Sequence, residues 1–496
     1  MEKKDRIARP LLLAALLAGA GFDIPAAAEA DVEKLNSAVE RLLKRVEQLE
    51  ASNRRLEAAL EKEKAAGQKP TPSATKQQAA TERATNEKVN DLDDRVGDLE
   101  NQVVTLKKPS KLEEALEGVT VGAELAMVSQ RAQRGATQGN KSQLNYRADV
   151  TVEVPLDSFG KLAGVGDSKL FFHLRAGQGE GLTFANPTYT ATPNSTAFFL
   201  QNSDDSATIL GEAWYQFGYP LAPTASGALP RIEGTFGKID LFGFFDGNEI
   251  ADNENAAFLN NVFVHSPLLD SGGGIGGDSY GFQPGVIASY KSDVNSVNHW
   301  KASLGVFGTA GGAGFQNTFS KPFVIGQLEY GGRVLRNRPG NYRIYAWTNG
   351  QFVPYNDDAA TTTARQTGFG LSIDQEVISR ALTVFARYGH SFSGPVRFDN
   401  AITVGAQLNG FSWGRQEDRI GLAYGWLNTS SGFKAAAPAV YGYSPTGAEQ
   451  DIELYYAWQI NKNLQLSPNV QWIVQPGGDP SAQNLWVLGL RAVAGF

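Results

Sequence analysis

Cysteine is absent from this sequence of 496 residues. Its absence excludes disulfide bonds, zinc–thiolate sites and thiol nucleophiles, and suits a chain that passes unfolded through an oxidising compartment. No Gly-x-Ser-x-Gly nucleophile sequence occurs either. The histidines lie far apart, without metal-ligand spacing: His173, His265, His299 and His390. We therefore expect no enzyme activity, no metal and no other cofactor.

An excess of positive charge and a long apolar run are also missing. The formal net charge is -7 and 20% of the residues are charged, so the sequence lacks the excess of basic residues that is typical of nucleic-acid-binding proteins. No uninterrupted apolar run is long enough for a transmembrane helix. Methionine is scarce (2 residues) and glycine is abundant (54 residues), which favours strands and turns over packed helices. If this chain crosses a membrane, it must do so as a closed β-barrel.

Residues 1–30 are predicted to be an export signal. A basic stretch comes first and a short apolar run, Leu11 to Phe22, follows it. Small residues then allow cleavage after Ala28 or Ala30. The apolar run is too short to span a bilayer, so we expect the chain to cross the inner membrane and not to remain there.

Residues 31–65 carry a heptad pattern that predicts a coiled coil. Its a positions are Val32, Val39, Val46, Asn53 and Leu60, and its d positions are Leu35, Leu42, Leu49 and Leu56. Such a seam needs partner helices to cover it, and a buried Asn53 would fix the register at a cost in stability. A lone solvated helix is the alternative.

Residues 66–81 are predicted to be a flexible linker, and residues 82–108 a second coiled-coil segment with a shifted register. We expect a homo-oligomer, a dimer or a trimer, to form through residues 31–107. This part of the chain would lie in the periplasm. No wall-binding domain is expected ahead of it, so spacing or trimerisation is favoured, and peptidoglycan is retained as a further partner.

From residue 119 to residue 496 the sequence alternates with period two. In the last strand, Trp486, Leu488 and Leu490 share an apolar parity that ends at Phe496, and the other parity carries glycines and Arg491. Side chains alternate across a strand, and strand after strand pairs an apolar face with a charged or amide-rich one. In a soluble sandwich the apolar face would fill a core, where tyrosine and tryptophan would need hydrogen-bond partners, whereas here the aromatic residues cluster near strand ends. The pattern therefore predicts an all-β transmembrane barrel of about 16 antiparallel strands (18 possible) in outer-membrane lipid, preceded by the α-helical coiled coil.

The polar parity of the strands gives the candidate pore-lining residues. Charges of both signs occur with aromatic rings, a mixture that suits neutral, hydroxyl-rich sugars better than ions. The alternative is that these charges only solvate the lumen. The strand candidates for sugar contact are Arg147, Glu153, Arg175, Trp214, Glu233, Arg343, Trp347, Asp374, Arg387, Arg415, Glu453 and Arg491. Arg343 beside Trp347 is the preferred position for a sugar track.

One segment, residues 238–269, is much longer than an ordinary turn and does not alternate. We expect it to fold inward as a constriction loop. Its candidates for solute contact are Lys238, Asp246, Asn248, Asp252, Asn253 and Glu254. A lid, a contact with a neighbouring subunit and an outward-facing loop are the alternatives.

The segment GKIDLFGFFDGNEIADNENAAFLNNVF resembles the signature of the bacterial carbohydrate-selective porins of the OprB type. Further similar segments are GNYRIYAWTNG (340–350), GLSIDQEV (370–377), VFARYGH (384–390), GFSWGRQEDRIGLAYG (410–425) and IELYYAWQINKNLQLSPNVQWIVQPGG (452–478). The positions that match the family motifs are Lys238, Asp240, Asn248, Asn260, Arg343, Trp347, Asp374, Gln375, Arg387, Arg415, Asp418 and Glu453. The motifs do not separate sugar contacts from positions that tie loops together.

The resemblance implies an outer-membrane porin for passive, carbohydrate-selective diffusion of mono- and oligosaccharides into the periplasm. It also implies that Phe496, the terminal aromatic, is read by the barrel-insertion machinery. A general or ion-selective porin shares every barrel feature and remains the main alternative. A tether between outer membrane and cell wall, acting through the coiled coil, is a further alternative that could coexist with transport.

Overall fold

The computed structural model describes residues 118–134, 142–156, 167–182, 192–198, 206–270, 275–352, 354 and 363–495. The predicted signal (1–30), both coiled-coil segments (31–65 and 82–108), the linker (66–81) and Phe496 lie outside the described residues.

Sixteen antiparallel strands of the described chain form one closed barrel in which each strand pairs with its sequence neighbours and β16 pairs with β1. The expectation of about 16 strands is confirmed. The strands are β1 (Thr120–Arg134), β2 (Ser142–Pro155), β3 (Asp167–Gln178), β4 (Ala207–Pro220), β5 (Arg231–Asp240), β6 (Phe282–Lys291), β7 (His299–Phe307), β8 (Phe323–Arg333), β9 (Pro339–Phe352), β10 (Ala364–Ile378), β11 (Leu382–Ser393), β12 (Phe398–Asn409), β13 (Arg419–Thr429), β14 (Ala448–Asn461), β15 (Leu464–Val474) and β16 (Leu485–Gly495).

The described helices are short. They are α1 (Asn261–Val264), α2 (Ser431–Val440) and 3-10 turns at Leu241–Gly243, Ala310–Gly312, Leu335–Asn337, Gly410–Trp413 and Pro476–Gly478. None of them is long and apolar enough to cross a membrane. Side chains cap both α-helices: Asn260 accepts from the Val262 amide and Ser430 from the Phe433 amide.

The connections differ in length at the two ends of the barrel. β5 and β6 are joined by residues 241–281, and β13 and β14 by residues 430–447. At the opposite end, residues 379–381 join β10 to β11 and residues 462–463 join β14 to β15. Outer-membrane barrels place short turns in the periplasm and long loops outside. β1 therefore begins, and β16 ends, at the periplasmic end.

The outward face of the strands is apolar, as the period-two pattern predicts. On β16, Leu488 and Leu490 are exposed on this face whereas Val487 and Arg491 are buried on the other. Aromatic side chains mark both ends of the outward face. Exposed examples at the periplasmic end are Tyr219, Tyr290, Trp300 and Trp458, and examples at the outer end are Phe392 and Trp486.

Large rings on the lumen face lie over glycines of the neighbouring strand. Tyr455 of β14 packs on Gly421 of β13, and Phe385 of β11 packs on Gly405 of β12. A Cβ at either glycine would collide with the ring. These glycines therefore let aromatic side chains lie flat along the wall, which leaves room inside the barrel for a loop.

Candidate functional site

The constriction loop, defined as the described residues 241–270 and 275–281 of the β5–β6 connection, lies inside the barrel and bonds to strands on its far side. Glu453 of β14 accepts hydrogen bonds from the backbone amides of Leu259 and Asn260, both at 2.9 Å. Arg387 of β11 donates to the carbonyl oxygens of Phe263 (2.8 Å) and Ala251 (2.7 Å). Loop backbone polar groups that would otherwise be buried without partners are thereby satisfied.

Asp246 of the constriction loop is held by its backbone conformation and by several partners. Its backbone is left-handed (φ 59°), a conformation that costs energy for a residue with a Cβ. Its carboxylate accepts from the Tyr345 hydroxyl (2.8 Å) and the Ser266 amide (2.6 Å) and lies 3.2 Å from Arg387 Nε. Asp246 is fully buried, so it holds the loop together and does not meet solute.

Apolar packing also holds the loop in place. Phe258 packs edge-on against Tyr455 with ring centroids 5.0 Å apart, and it also meets Phe263 and Phe385. These residues belong to one buried cluster that joins the loop to the lumen face of the wall. Burial of several such side chains stabilises the inward position by about 1.5–3 kcal/mol each.

A second segment, residues 192–198 of the β3–β4 connection, also folds inward. The Asn261 amide donates to the Thr192 carbonyl (3.1 Å), and the Ser195 amide donates to the Leu259 carbonyl (2.8 Å). Asn145 of β2 donates through Nδ2 to the Thr196 carbonyl (3.0 Å), and Gln471 of β15 donates to the Pro193 carbonyl (2.7 Å). The segment therefore covers the constriction loop from the outer side and ties it to the wall.

Two cavities lie between the constriction loop and the β1–β3 part of the wall. A cavity of about 670 Å³ opens to the outer side and another of about 540 Å³ opens to the periplasmic side. Asp149, Thr151 and Asn255 line both cavities. The two cavities therefore meet where β2 faces the loop around Asn255, and we infer that this junction is the narrow part of the passage.

Charges at this narrow part are held in one connected network. Asp149 accepts from Arg147 (2.8 Å), Arg175 (2.7 Å) and His173 (2.7 Å). Arg147 also lies 2.7 Å from the Glu254 carboxylate of the loop. The Arg175 guanidinium lies over the Phe282 ring, 5.1 Å from its centroid. Donors, acceptors and a ring face are thus fixed around the passage before any solute arrives.

His265 of the constriction loop carries a shifted pKa. Burial by itself would lower the pKa, but Asp252, whose Oδ1 lies 3.4 Å from His265 Nδ1, and the carboxylates of Asp270 and Asp240 raise it to about 9. The imidazole stacks on Phe242 with centroids 3.8 Å apart. A charged His265 therefore attracts the surrounding loop carboxylates at neutral pH.

The structure brings only some of the predicted residues to the passage. Arg147, Arg175, Asp252 and Glu254 line the outer cavity. Glu153 pairs with Lys169 and Glu233 with Arg231 near the periplasmic ends of their strands, and Trp214 stacks on Phe171. Lys238 lies at the outer end of β5 and pairs with Asp278 at 2.8 Å.

Eight other candidates are buried, or nearly so in the case of Arg343, where the constriction loop packs on the wall. They are Asp246, Asn248, Arg343, Trp347, Asp374, Arg387, Glu453 and Arg491. Arg343 lies between Glu329 (3.0 Å) and Asp374 (2.9 Å), and Trp347 is only 3% exposed with Nε1 bonded to Gln366. The loop covers this part of the wall, so the structure lends no support to the sugar track on Arg343 and Trp347, which stays a prediction.

Arg415 does not line the lumen. It lies in the periplasmic turn between β12 and β13, where it pairs with Asp418 and sits over the outward-facing ring of Trp458, 5.9 Å from its centroid. The strand ends before this residue, so the alternation that assigned it to the lumen does not extend to it. Asp418 also accepts a hydrogen bond from the Gln459 amide (2.9 Å). The Arg415–Asp418 pair therefore stabilises the turn between β12 and β13.

Several residues at the passage are absent from the predicted site. Glu124 of β1 accepts from Asn255 of the loop, and Glu212 of β4 lies 3.4 Å from His173. The period-two pattern could have identified Glu124 and His173 as lumen residues. Glu124 shares the lumen face of β1 with Ala126, and His173 shares that of β3 with Arg175. Asn255 and the segment 192–198 have no such signal, because irregular backbone carries no periodicity.

A wide, closed, 16-stranded barrel with a polar passage and an inward loop defines the chain as an outer-membrane porin. Residues 141–496 match the family described as "Carbohydrate-selective porin, OprB family". The chain belongs to this family, whose channels let sugars diffuse passively across the outer membrane. No curated protein sequence matches the chain.

Solved structures with a similar fold include OprB of Pseudomonas putida. Its high-pH structure is 18% identical with a TM-score of 0.61, over 78% of this chain and 96% of that chain. Its low-pH structure is 14% identical with a TM-score of 0.43, over 77% and 93%. A loop L8 deletion mutant of OmpT from Vibrio cholerae is 12% identical with a TM-score of 0.44, over 76% and 99%. The first of these likenesses supports the barrel fold.

Proposed function

We propose that sugars cross this porin through the gap between the constriction loop and the β1–β3 wall, and that Arg175, Asp149, Glu254 and Asn255 contact them. The observation that carries the proposal is the meeting of the outer and periplasmic cavities at Asp149, Thr151 and Asn255. No step on this route requires catalysis, so the chain acts as a channel and not as an enzyme.

The chemistry of the gap suits a neutral, hydroxyl-rich solute. A hydroxyl both donates and accepts, guanidinium groups only donate and carboxylates only accept. Each contact contributes about 0.5–1.5 kcal/mol, or about 1.5–3 kcal/mol with a charged partner. Several weak contacts allow a sugar to enter and to leave, whereas one strong site would hold it.

Arg175→Ala tests this route. The side chain is half-buried at the passage, and Asp149 keeps Arg147 and His173 as partners when it is removed. We expect the association constant for sugar block of the ion current in planar bilayers to fall by roughly 10-fold, as for loss of one charged hydrogen bond. Arg365→Ala, at an exposed arginine of β10, is the matched control and should leave the block unchanged.

A wild-type channel that no sugar blocks would contradict the proposal. A general or ion-selective porin would then replace it. Equal loss of block in the Arg175 and Arg365 variants would show a general effect of charge and would remove Arg175 from the contact set.

We further propose that the chain assembles as a homo-oligomer, a dimer or a trimer, through residues 31–107. The support is the heptad pattern with Asn53 at an a position. Recognition of Phe496 by the insertion machinery and a contact of the heptad segments with peptidoglycan are proposals on sequence grounds alone.

A further inference from the structure

A third cavity, of about 960 Å³, opens on the periplasmic side beneath the constriction loop. Its ceiling is formed by Glu249 and Ile250 of the loop, and its wall and floor by side chains that include Gln407, Arg419 and Gln459. It shares Arg419, Gln459 and Lys462 with the periplasmic cavity of the passage, and none of its lining residues with the outer cavity. A solute coming from outside therefore reaches it only after the narrow part.

Arg419 differs from the other arginines near the passage. Arg147, Arg175, Arg343 and Arg387 each have a carboxylate partner. Arg419 has no ion pair with the described residues: Nη2 donates to Gln465 Oε1 at 2.6 Å, and its Nε has no hydrogen-bond partner. Its Nε is buried, so the two Nη atoms are the donors that can reach oxygen atoms of a ligand in this polar cavity.

The remaining lining supplies acceptors and mixed groups. Glu249 and Glu417 are exposed carboxylates without an ion pair to the described residues, and Lys462 is an exposed cation. Two cations thus face two anions, so the cavity does not favour an ion of either sign. Gln407, Asn409, Gln416, Gln459 and Asn461 add amides. This balance matches a neutral molecule with many hydroxyl groups, and the volume lies in the range of small-molecule sites.

We propose that this cavity is a second carbohydrate subsite, on the periplasmic exit side of the channel, with Arg419 as its central donor and Glu249 as an acceptor. The proposal rests on the sugar transport proposed above and adds a place where the sugar pauses after the constriction. Two weak sites in series lower the barrier on each side of the narrow part without trapping the solute. Sugar arriving from the periplasm can enter this site without passing the narrow part.

The test uses the full-length protein in planar bilayers, with maltose added to one side at a time and its association constant taken from current noise. The chain has no cysteine, so a single Val297→Cys, at an exposed site in the short β6–β7 turn, identifies the periplasmic side by its reaction with a membrane-impermeant thiol reagent. Arg419→Ala is expected to lower the periplasmic-side association constant roughly 10-fold and to leave the outer-side constant within about 2-fold. Arg419→Lys, which retains the charge, should fall between Arg419→Ala and the wild type.

The control is Arg336→Asn, which removes a positive charge from another periplasmic turn. Arg336 is exposed with φ 50°, a backbone conformation that asparagine tolerates. The Arg336→Asn substitution should leave both association constants unchanged. Arg175→Ala should show the reverse of Arg419→Ala, with the larger loss on the outer side. Heat-modifiable gel mobility verifies that each variant is folded.

Three results would overturn the exit subsite: unchanged periplasmic-side block in Arg419→Ala, an equal loss on both sides, or the same loss in Arg336→Asn. In each of these cases the outer-side block of the wild type still supports sugar transport. Absence of block from both sides in the wild type would instead remove the proposed function, and the subsite with it.

Discussion

At the scale of single residues, the charged side chains of the lumen divide into two groups with different tasks. Arg147 and Arg175 border the open passage, whereas Arg343 and Arg387 are covered by the constriction loop. The covered arginines satisfy buried carboxylates and carbonyl oxygens. Their effect is therefore on the position of the loop and on stability, and only indirectly on solute.

Arg343→Ala should destabilise the barrel without weakening sugar block. The substitution leaves Asp374, which is fully buried, and Glu329, which is mostly buried, without their guanidinium partner. Removing one member of a buried ion pair costs about 3–5 kcal/mol. We expect a lower midpoint in heat-modifiable gel mobility and an unchanged sugar association constant. Arg343→Lys keeps the charge but loses the planar guanidinium that bonds to both carboxylates, so it should be less destabilised than Arg343→Ala. A midpoint equal to that of the wild type in Arg343→Ala would contradict the structural role of Arg343.

The sequence places such residues on the correct face but not at the correct depth. Alternation puts both Arg175 and Arg343 in the lumen, and both faces are found as predicted. Whether a lumen residue meets water or the constriction loop depends on contacts between residues more than 100 positions apart, such as Arg387 with Phe263. Period-two patterns contain no information on such contacts.

At the scale of elements, the constriction loop is held by contacts that respond to pH. The pKa of His265 is raised to about 9 by Asp252, Asp270 and Asp240 against the opposing effect of burial. A group with a raised folded-state pKa stabilises the folded arrangement fully below its unfolded value of about 6.5, and this contribution is lost as the pH rises through about 9. The loop should therefore be less mobile near neutral pH than above about pH 9.

A spin label on Gly243→Cys would measure this loss. Gly243 is exposed in the loop and has open space for a side chain, and the chain offers no competing thiol. We expect the label to gain mobility between pH 8 and about pH 10 in otherwise wild-type protein. In the His265→Gln variant the label should already be more mobile at pH 7, and its mobility should not change between pH 8 and about pH 10. A label equally ordered at pH 6 and pH 10 would exclude His265 as a contributor.

Elements without periodicity were the hardest to derive from the sequence. The sequence predicts the long non-alternating segment at residues 238–269, whereas the connection between β5 and β6 runs from residue 241 to residue 281. The inward segment 192–198 and helix α2 were not predicted. Asn194 shows the reason: its side chain bonds to Asn145 and to the Thr196 amide, and these contacts define the segment only after β2 is in place.

At the scale of the whole molecule, the heptads of residues 31–107 predict self-association. An exposed Val/Leu seam would leave an apolar stripe in water, so peptide 31–107 should sediment as a single oligomeric species. Asn53→Val should strengthen association and broaden the stoichiometry, because a buried asparagine specifies register at a cost in stability. A peptide that remains monomeric at high concentration would show that the seam serves another partner.

The architecture of the barrel followed from the sequence more completely than its interior did. Alternation over many strands, aromatic ends and short turns such as Asn461 to Asn463 determine a closed sheet of about this size. The path through it could not be derived, because it depends on which side of the lumen the loop occupies. That choice is made by pairs such as Phe258 with Tyr455.

The packing of Phe258, Phe263, Phe385 and Tyr455 bears on any attempt to turn this porin into a wider nanopore. Deletion of the constriction loop would do more than widen the water-filled lumen. It would expose the rings of Phe385 and Tyr455 together with Arg387 and Glu453, whose charged groups bond to the loop backbone. A pore without the loop should therefore carry new fixed charges of both signs beside exposed rings, and this part of the wall would have to be redesigned before the loop is removed.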